Sequence, residues 1–258
     1  MGAHQKIDRI SRRHLQRLTP HNAFPKIRTI LHFEGGNGPD AIKRKSPAKN
    51  EPWHYFQPFD EADTKLLTLI EEHYSTLVKA LSNKDDIRAG FEAAWIAHAV
   101  VDGLTPAHHY PYEEKLVELR SGRGLESRNT LTKKMLFPGN SLRNTASNNW
   151  KFWGPRGLFT THFSFEWGVA TLIMPMKLRR AMPTADKMAE FEAMPLSVWF
   201  RRVAQDIARL ELYDAFYQTG WTIPLARRIR RQLAPVLVQA VTLVWYGAQR
   251  EAQKTKGR

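Results

Sequence analysis

Residues 94–109 read AWIAHAVVDGLTPAHH, and the expected fold turns on them. His98 and Asp102 stand four residues apart, one helical turn, so both side chains leave the same face and can grip one ion. Pro106 breaks the helix, which lets His108 return from the following turn instead of continuing along the axis. A single histidine on an apolar face is ordinarily a hydrogen-bonded core residue. Residues 161–170, THFSFEWGVA, repeat the one-turn device with His162 and Glu166. Two such pairs on separate helices are what a metal site in a bundle core requires, because facing helices each contribute inward ligands.

Outward from these segments, apolar residues recur at helical spacing and alternating strand-like runs are scarce. Helices are expected over 4–18, 61–82, 85–103, 161–181, 196–218 and 224–253, with Asp60 and Asn83 as caps near two of the starts. Glycine, proline and asparagine punctuate 32–60, which reads as a long loop, and 109–160 reads as an elaborated, basic, loop-rich insertion. The expected fold class is all-α: a single-domain helical bundle over 1–258, with a multinuclear site between helices and long irregular loops.

Composition narrows the chemistry. The 258 residues are 42% apolar and 25% charged, ordinary for a globular chain with a sizeable core. There is no cysteine, so a transition-metal site must be built from imidazole, carboxylate and backbone groups. Thirty-nine Lys and Arg against twenty-five Asp and Glu leave a net charge of +14, which favours an anionic partner, either nucleic acid, acidic lipid or a phosphorylated substrate. The runs Arg227-Arg228-Ile229-Arg230-Arg231, Lys43-Arg44-Lys45 and Lys133-Lys134 are the places to collect it, and a solvated basic face is the plainer reading of each. No uninterrupted apolar window is long enough for a transmembrane span, and the basic start MGAHQKIDRISRRHLQRL lacks the apolar stretch of a secretory signal, so a cytoplasmic protein is expected.

The pattern His-x3-Asp-x3-Pro-x-His, realised as His98, Asp102, Pro106 and His108, resembles the motif of the zinc-dependent phospholipase C and S1/P1 nuclease superfamily. That family continues with a His-x3-Glu or His-x3-Asp pair, matched by His162 and Glu166, and the Glu resembles the bacterial phospholipase C branch. Upstream it has an aspartate about fourteen residues before a histidine in an aromatic setting, matched by Asp40 in GNGPD and His54 in PWHYF. His4, with Ile7 and Ile10 after it, stands where the family's first helix carries one more histidine, although Met1 and Gly2 occupy the place of the family's tryptophan. The interval from His108 to His162 is longer than in the family.

The resemblance implies two zinc ions, and a third if His4 ligates, held by Asp40, His54, His98, Asp102, His108, His162 and Glu166. Neutral imidazoles and carboxylates suit Zn2+, and a shared carboxylate brings two ions to roughly 3.5–4 Å, useful for phosphoryl chemistry. Asp102 is the expected bridge, and Asp40 either ligates or orients and deprotonates the attacking water. The implied activity is phosphodiester hydrolysis of phospholipase C type, with a single-strand nuclease as the alternative substrate choice and peripheral membrane contact as one expected partner. Trp53 and Tyr55, flanking His54, and His109, beside His108, are the expected substrate-binding residues. His14, His21, His32, His73, Asp60 and Asp63 receive the plain reading of solvated or core groups. The alternative from another class is a non-catalytic basic module that binds RNA or membrane and keeps the ligands as a structural zinc clamp. Seven ligands exceed what one closed four-coordinate site uses.

Overall fold

The computed structural model describes residues 2–20, 23–45 and 47–256, without the side chains of 43–45 and 255–256, so His21 and the Lys43-Arg44-Lys45 side chains lie outside the described residues. Every regular element among the described residues is helical. In chain order these are α1 (Ala3–Leu18), α2 (Ile27–Glu34), α3 (Pro39–Lys45), α4 (Lys65–Ser82), α5 (Asp86–Gly103), α6 (Tyr112–Leu119) and α7 (Leu131–Met135). They continue with α8 (Leu142–Trp153), α9 (Leu158–Ile173), α10 (Ala185–Glu192), α11 (Leu196–Ala208), α12 (Leu212–Thr219), α13 (Ile223–Arg228) and α14 (Ala234–Lys256).

Helix α5 is the axis of the single compact domain. Ala93, Ile96, Ala97, Val100 and Val101 are all buried, because its apolar residues surround it and it has no solvent face to present over its second half. It packs on α4, α2 and α14, and α1 lies against α14 and α2. Gly90 lets α2 come close: a Cβ there would sit 2.6 Å from Thr29 Cγ2. Gly103 does the same at the other end, where a Cβ would meet Leu66 and Phe200 at 2.3 and 2.7 Å. Trp245 fills the centre, its indole N–H donating to the Ala93 carbonyl at 3.0 Å, which satisfies a group that would be costly to bury unpaired.

Several boundaries differ from the periodicity-based expectation, each for a local reason. The start of α5 is capped by Asp85, whose carboxylate accepts from Arg88 N–H at 2.9 Å, whereas Asn83 closes the helix before it. Asp60 caps a turn instead of a helix, accepting from Ala62 N–H. The span expected as one helix over 196–218 is two, because Glu211 takes a left-handed φ of 49° and turns α12 so that Leu212 and Phe216 are buried along with Phe200 and Ile207. The expected loop 32–60 holds the end of α2 and all of α3.

The 109–160 segment is more ordered than an elaborated loop. Tyr112, Leu116, Phe137 and Phe152 form a satellite core, around which α6, α7 and α8 fold. Its basic residues are largely structural: the Arg120 guanidinium lies 4.4 Å over the Phe137 ring and donates to the Lys133 carbonyl, while Arg128 pairs with Glu113. Lys134 pairs with Glu51, while Lys133 is exposed. Among the described residues no helix is long and apolar enough to cross a membrane.

Candidate metal centre

Helix α5 carries His98 and Asp102 into the core, both buried, as the one-turn spacing predicts. After it, the Thr105 hydroxyl accepts no further helix and instead donates to the Val101 carbonyl at 2.8 Å, and Pro106–His109 makes a tight 3-10 turn. This turn is clamped to the 52–57 strand of loop on both sides of one residue. The Phe56 N–H donates to the His108 carbonyl at 3.0 Å, and the His108 Nδ1–H donates to the His54 carbonyl at 2.9 Å. A carbonyl can only accept, so His108 donates from Nδ1, and a metal ion at Nε2 would take the place of the hydrogen bond that Nε2 makes to Glu166. That Nε2 lies 2.6 Å from Glu166 Oε1, and His162 Nε2 lies 3.3 Å from the same oxygen. His108, His162 and Glu166 thus form one group of three that could hold a metal ion.

The second group converges on the other side of Asp102. Its Oδ2 stands 3.2 Å from His98 Nε2, and its Oδ1 stands 3.3 Å from His4 Nε2. The His4 ring stacks on that of His98, centroids 4.1 Å apart and nearly parallel, and Asp40 Oδ1 lies 3.7 Å from His98 Nε2. Asp102 Oδ2 also lies 3.8 Å from His108 Nδ1, so this carboxylate stands between the two groups, on the imidazole edge of His108 opposite the one that faces Glu166. A cavity of about 230 Å³ opens onto both, walled by His4, Asp40, Asp102, His108, Phe163 and Trp167 among others.

Glu34 was not foreseen from the sequence. It is buried at the end of α2, Oε1 accepting from His98 Nδ1–H at 3.1 Å, and with His4 and His98 it makes a second group that could hold an ion. Its bond to the imidazole edge turned away from Asp102 marks it as the carboxylate that orients His98 and fixes its tautomer. The signal was present: Ile27, Ile30 and Glu34 share one helical stripe, and an acid on an apolar stripe demands a partner. Asp8 repeats it on α1, one turn after His4 and fully buried. Burial, and then the Glu34 charge beside it, push the Asp8 carboxyl well above the usual range.

Whether these residues fit a metal is tested by their buried polar atoms. His98 Nε2 and Asp102 Oδ2 are both buried, 3.2 Å apart, and among the described residues neither makes a hydrogen bond. Two good hydrogen-bonding atoms that face each other without bonding are an arrangement expected of ligands aimed at a common ion. The electrostatics agree. Burial alone would depress His98, but the Asp102 and Glu34 carboxylates outweigh it and hold its pKa well above the ordinary histidine value. Burial alone would raise Asp102 and Glu166. The charges of His98 and His108 hold Asp102 well below the carboxylate range, and His162 followed by His108 does the same to Glu166. The imidazole proton of His98 is thus held more tightly than usual, and a cation bound at Nε2 would have to displace it, which makes metal affinity fall as pH drops.

The remaining expected residues are distributed as follows. His54 lies beside His108, ring centroids 5.2 Å apart, its Nδ1–H donating to the Pro52 carbonyl at 3.0 Å, and it belongs to neither of the two groups that could hold an ion. The Tyr55 ring stacks on Tyr112 at 5.2 Å and stands 6.3 Å from His162, with its phenol pushed up by burial. Trp53 is half-buried against the core with the Lys65 ammonium 4.4 Å over its ring. His14 donates to the Leu178 carbonyl, His32 pairs with Asn37, and His73 pairs with Glu92, all in the plain roles expected of them. Asp63 accepts from the Gln57 N–H.

His109 corrects the expectation that it faces solvent or substrate. Its Nε2–H donates to the Gly103 carbonyl at 2.9 Å, and it lines a separate pocket with Pro106 and Tyr213 because the 3-10 turn sends consecutive side chains to different sides. Burial pushes its pKa down to about 4. Folding thus favours the neutral ring, so its contribution is complete above the unfolded value of about 6.5 and is lost as pH falls towards about 4. His109→Gln, which keeps a donor, is expected to flatten the acid limb of the stability curve by up to about 1.4 kcal/mol per pH unit in that window. Urea unfolding of both proteins at several pH values reads this difference, and parallel limbs would show that His109 is not buried neutral.

No protein-family model, no curated protein and no solved structure matches the chain. The class that fold and site define is therefore stated from geometry: an all-α domain with two His/Glu groups in its core that could hold metal ions.

Proposed function

We propose that this chain is a zinc-dependent phosphodiester hydrolase of phospholipase C type. The observation that carries the reading is the position of Asp102, one buried carboxylate facing His4 and His98 on one side and His108 on the other, at the wall of an open cavity. A structural clamp needs one closed site. Two groups with a carboxylate between them and reachable from outside suit a catalytic pair.

His4, His98, Asp40 and Asp102 would hold one ion, and His108, His162 and Glu166 the other. Zinc there would supply Lewis acidity towards phosphoryl oxygens and lower the pKa of water to about 7. The chain's own groups do the rest. Glu34 and the His54 carbonyl hold the Nδ1 edges of His98 and His108, so their Nε2 atoms point inward. The Asp40 side chain is 61% exposed at the cavity mouth and reaches His98 Nε2, a position from which it takes a proton from an attacking water while the buried carboxylates stay committed to their imidazoles. Phe163 and Trp167 narrow the approach and exclude bulk water.

The test is metal analysis by mass spectrometry joined to a hydrolysis screen on bis-p-nitrophenyl phosphate, phosphatidylcholine and single-stranded DNA. About two zinc ions per chain with chelator-sensitive cleavage of the first two substrates is the expected result. Cleavage of DNA alone would move the assignment to the nuclease, a single zinc without hydrolysis would favour the clamp, and a metal-free, inactive protein would overturn the proposal.

A further inference from the structure

Helix α9 has two working faces. His162 and Glu166 look into the metal cavity, while the residues immediately after each, Phe163 and Trp167, are 49% and 66% exposed. On the outer side these two rings meet Trp221 and Ile223, themselves 37% and 70% exposed, and the four wall an open groove of about 740 Å³. None of its lining side chains is charged. The groove is also firm. Trp221 lies flat on Gly168, where a Cβ would come within 2.0 Å of the indole, and its N–H donates to the Ser164 carbonyl at 3.2 Å. Phe159, Phe163 and Trp167 continue it as a ladder of rings spaced 5.8 and 5.9 Å. Phe163 and Trp167 wall both the groove and the metal cavity, so the two openings share a rim.

Exposed cations lie close in sequence to this apolar floor, while the acids Asp40 and Glu166 stand at the adjoining cavity. Arg227 follows Ile223 by one turn and Arg230 follows Ala226 by one turn, both exposed, with exposed Arg231 next to them. Lys177, Arg179 and Arg180, also exposed, come just after α9 ends. An uncharged patch this size is unusual on a solvated surface. Tryptophan and phenylalanine at the level of the surface, edged by arginine and lysine, match the interface of an anionic bilayer, where rings settle at headgroup depth and cations pair with lipid phosphate or carboxylate.

We propose that the Phe163–Trp167–Trp221–Ile223 groove and its arginine edge seat on an anionic lipid bilayer, which brings the mouth of the metal cavity to the membrane surface. That docking delivers a lipid phosphodiester to the cavity rests on the hydrolase reading; the docking itself does not. Single-stranded nucleic acid fits less well, because it needs cations interleaved with the rings and here they stand apart. A second copy would have to bring another +14 of charge against the same arginines.

The experiment is co-sedimentation of the full chain, as purified and after chelation, with vesicles of phosphatidylcholine alone or with about 30% phosphatidylserine. Expected is binding at least about tenfold tighter to the anionic vesicles, insensitive to chelation and weakened by about 0.5 M salt. Ile223→Asp, placed at the start of α13 where an acid suits the helix, is expected to lower that binding about tenfold, and Arg227→Glu with Arg230→Glu to remove its preference for phosphatidylserine. Both variants should cleave bis-p-nitrophenyl phosphate as the parent does. Absence of vesicle binding, parental binding by both variants, displacement of the protein from vesicles by a single-stranded oligonucleotide, or a dimer in light scattering that Ile223→Asp dissociates would each overturn the proposal. Chelator-proof vesicle binding without any hydrolysis would sink the hydrolase reading and leave the docking standing; the reverse pattern would do the opposite.

Discussion

Asp102→Asn is expected to strip both ions from the chain and to lower phosphodiester hydrolysis by about a thousandfold. The carboxylate stands within 3.2–3.8 Å of nitrogens from His98, His4 and His108, between the two groups that could hold an ion. Asparagine keeps the shape and one oxygen but removes the charge, and breaking a buried ionic partnership costs about 3–5 kcal/mol, which is roughly two to nearly four orders of magnitude in an equilibrium or a rate. The same substitution should destabilise the metal-free protein, because the His98 proton then loses its main counter-charge while burial still opposes it. Zinc content, initial rates and urea unfolding with chelator read the three effects separately. Cleavage at the parental rate would remove Asp102 from the mechanism, and unchanged zinc content would remove it from the ligands.

Glu166→Gln is expected to act on one side only. Glu166 Oε1 meets His108 Nε2 and His162 Nε2 at 2.6 and 3.3 Å, but its side chain is 38% exposed at the cavity wall, so solvent softens the loss of charge. Zinc content should fall by about one ion per chain, hydrolysis by about a hundredfold, and stability by less than about 1 kcal/mol. The ordering against Asp102→Asn is the informative part: the bridging residue costs both ions and stability, the terminal ligand one ion and activity. Equal effects of the two variants would show that the groups are not separable, and full zinc content in Glu166→Gln would refute its place among the ligands.

How much of this was legible in the sequence depends on distance along the chain. The helices α1, α4, α5, α9 and α14 were readable because their apolar spacing runs for several turns, and the pairs His98–Asp102 and His162–Glu166 were readable because one turn brings them together. His108 was preferred over His109 on spacing, and only His108 joins the cavity wall. The split between α11 and α12 was not readable, since no glycine or proline marks Glu211; the bend follows from burying Leu212 and Phe216 with the rest of the core. The order within 109–160 was hidden for a similar reason: four aromatic and aliphatic residues scattered over forty positions make a satellite core that no local period announces.

The division follows the physics. Local geometry is settled within one helical turn, so the sequence by itself determined an all-α chain, the absence of thiolates from any metal site, and which imidazoles and carboxylates share a helix face. Only the tertiary structure decided which helices meet. The close approach of α2 to α5 over Gly90 puts Glu34 on His98. The seating of α1 lays the His4 ring on that of His98. The outer face of α9, against which Trp221 and the start of α13 lie, leaves an aromatic groove beside the cavity. Those contacts join residues tens to hundreds of positions apart, and they exist because helices bury their apolar stripes against one another, a choice made by the whole core at once.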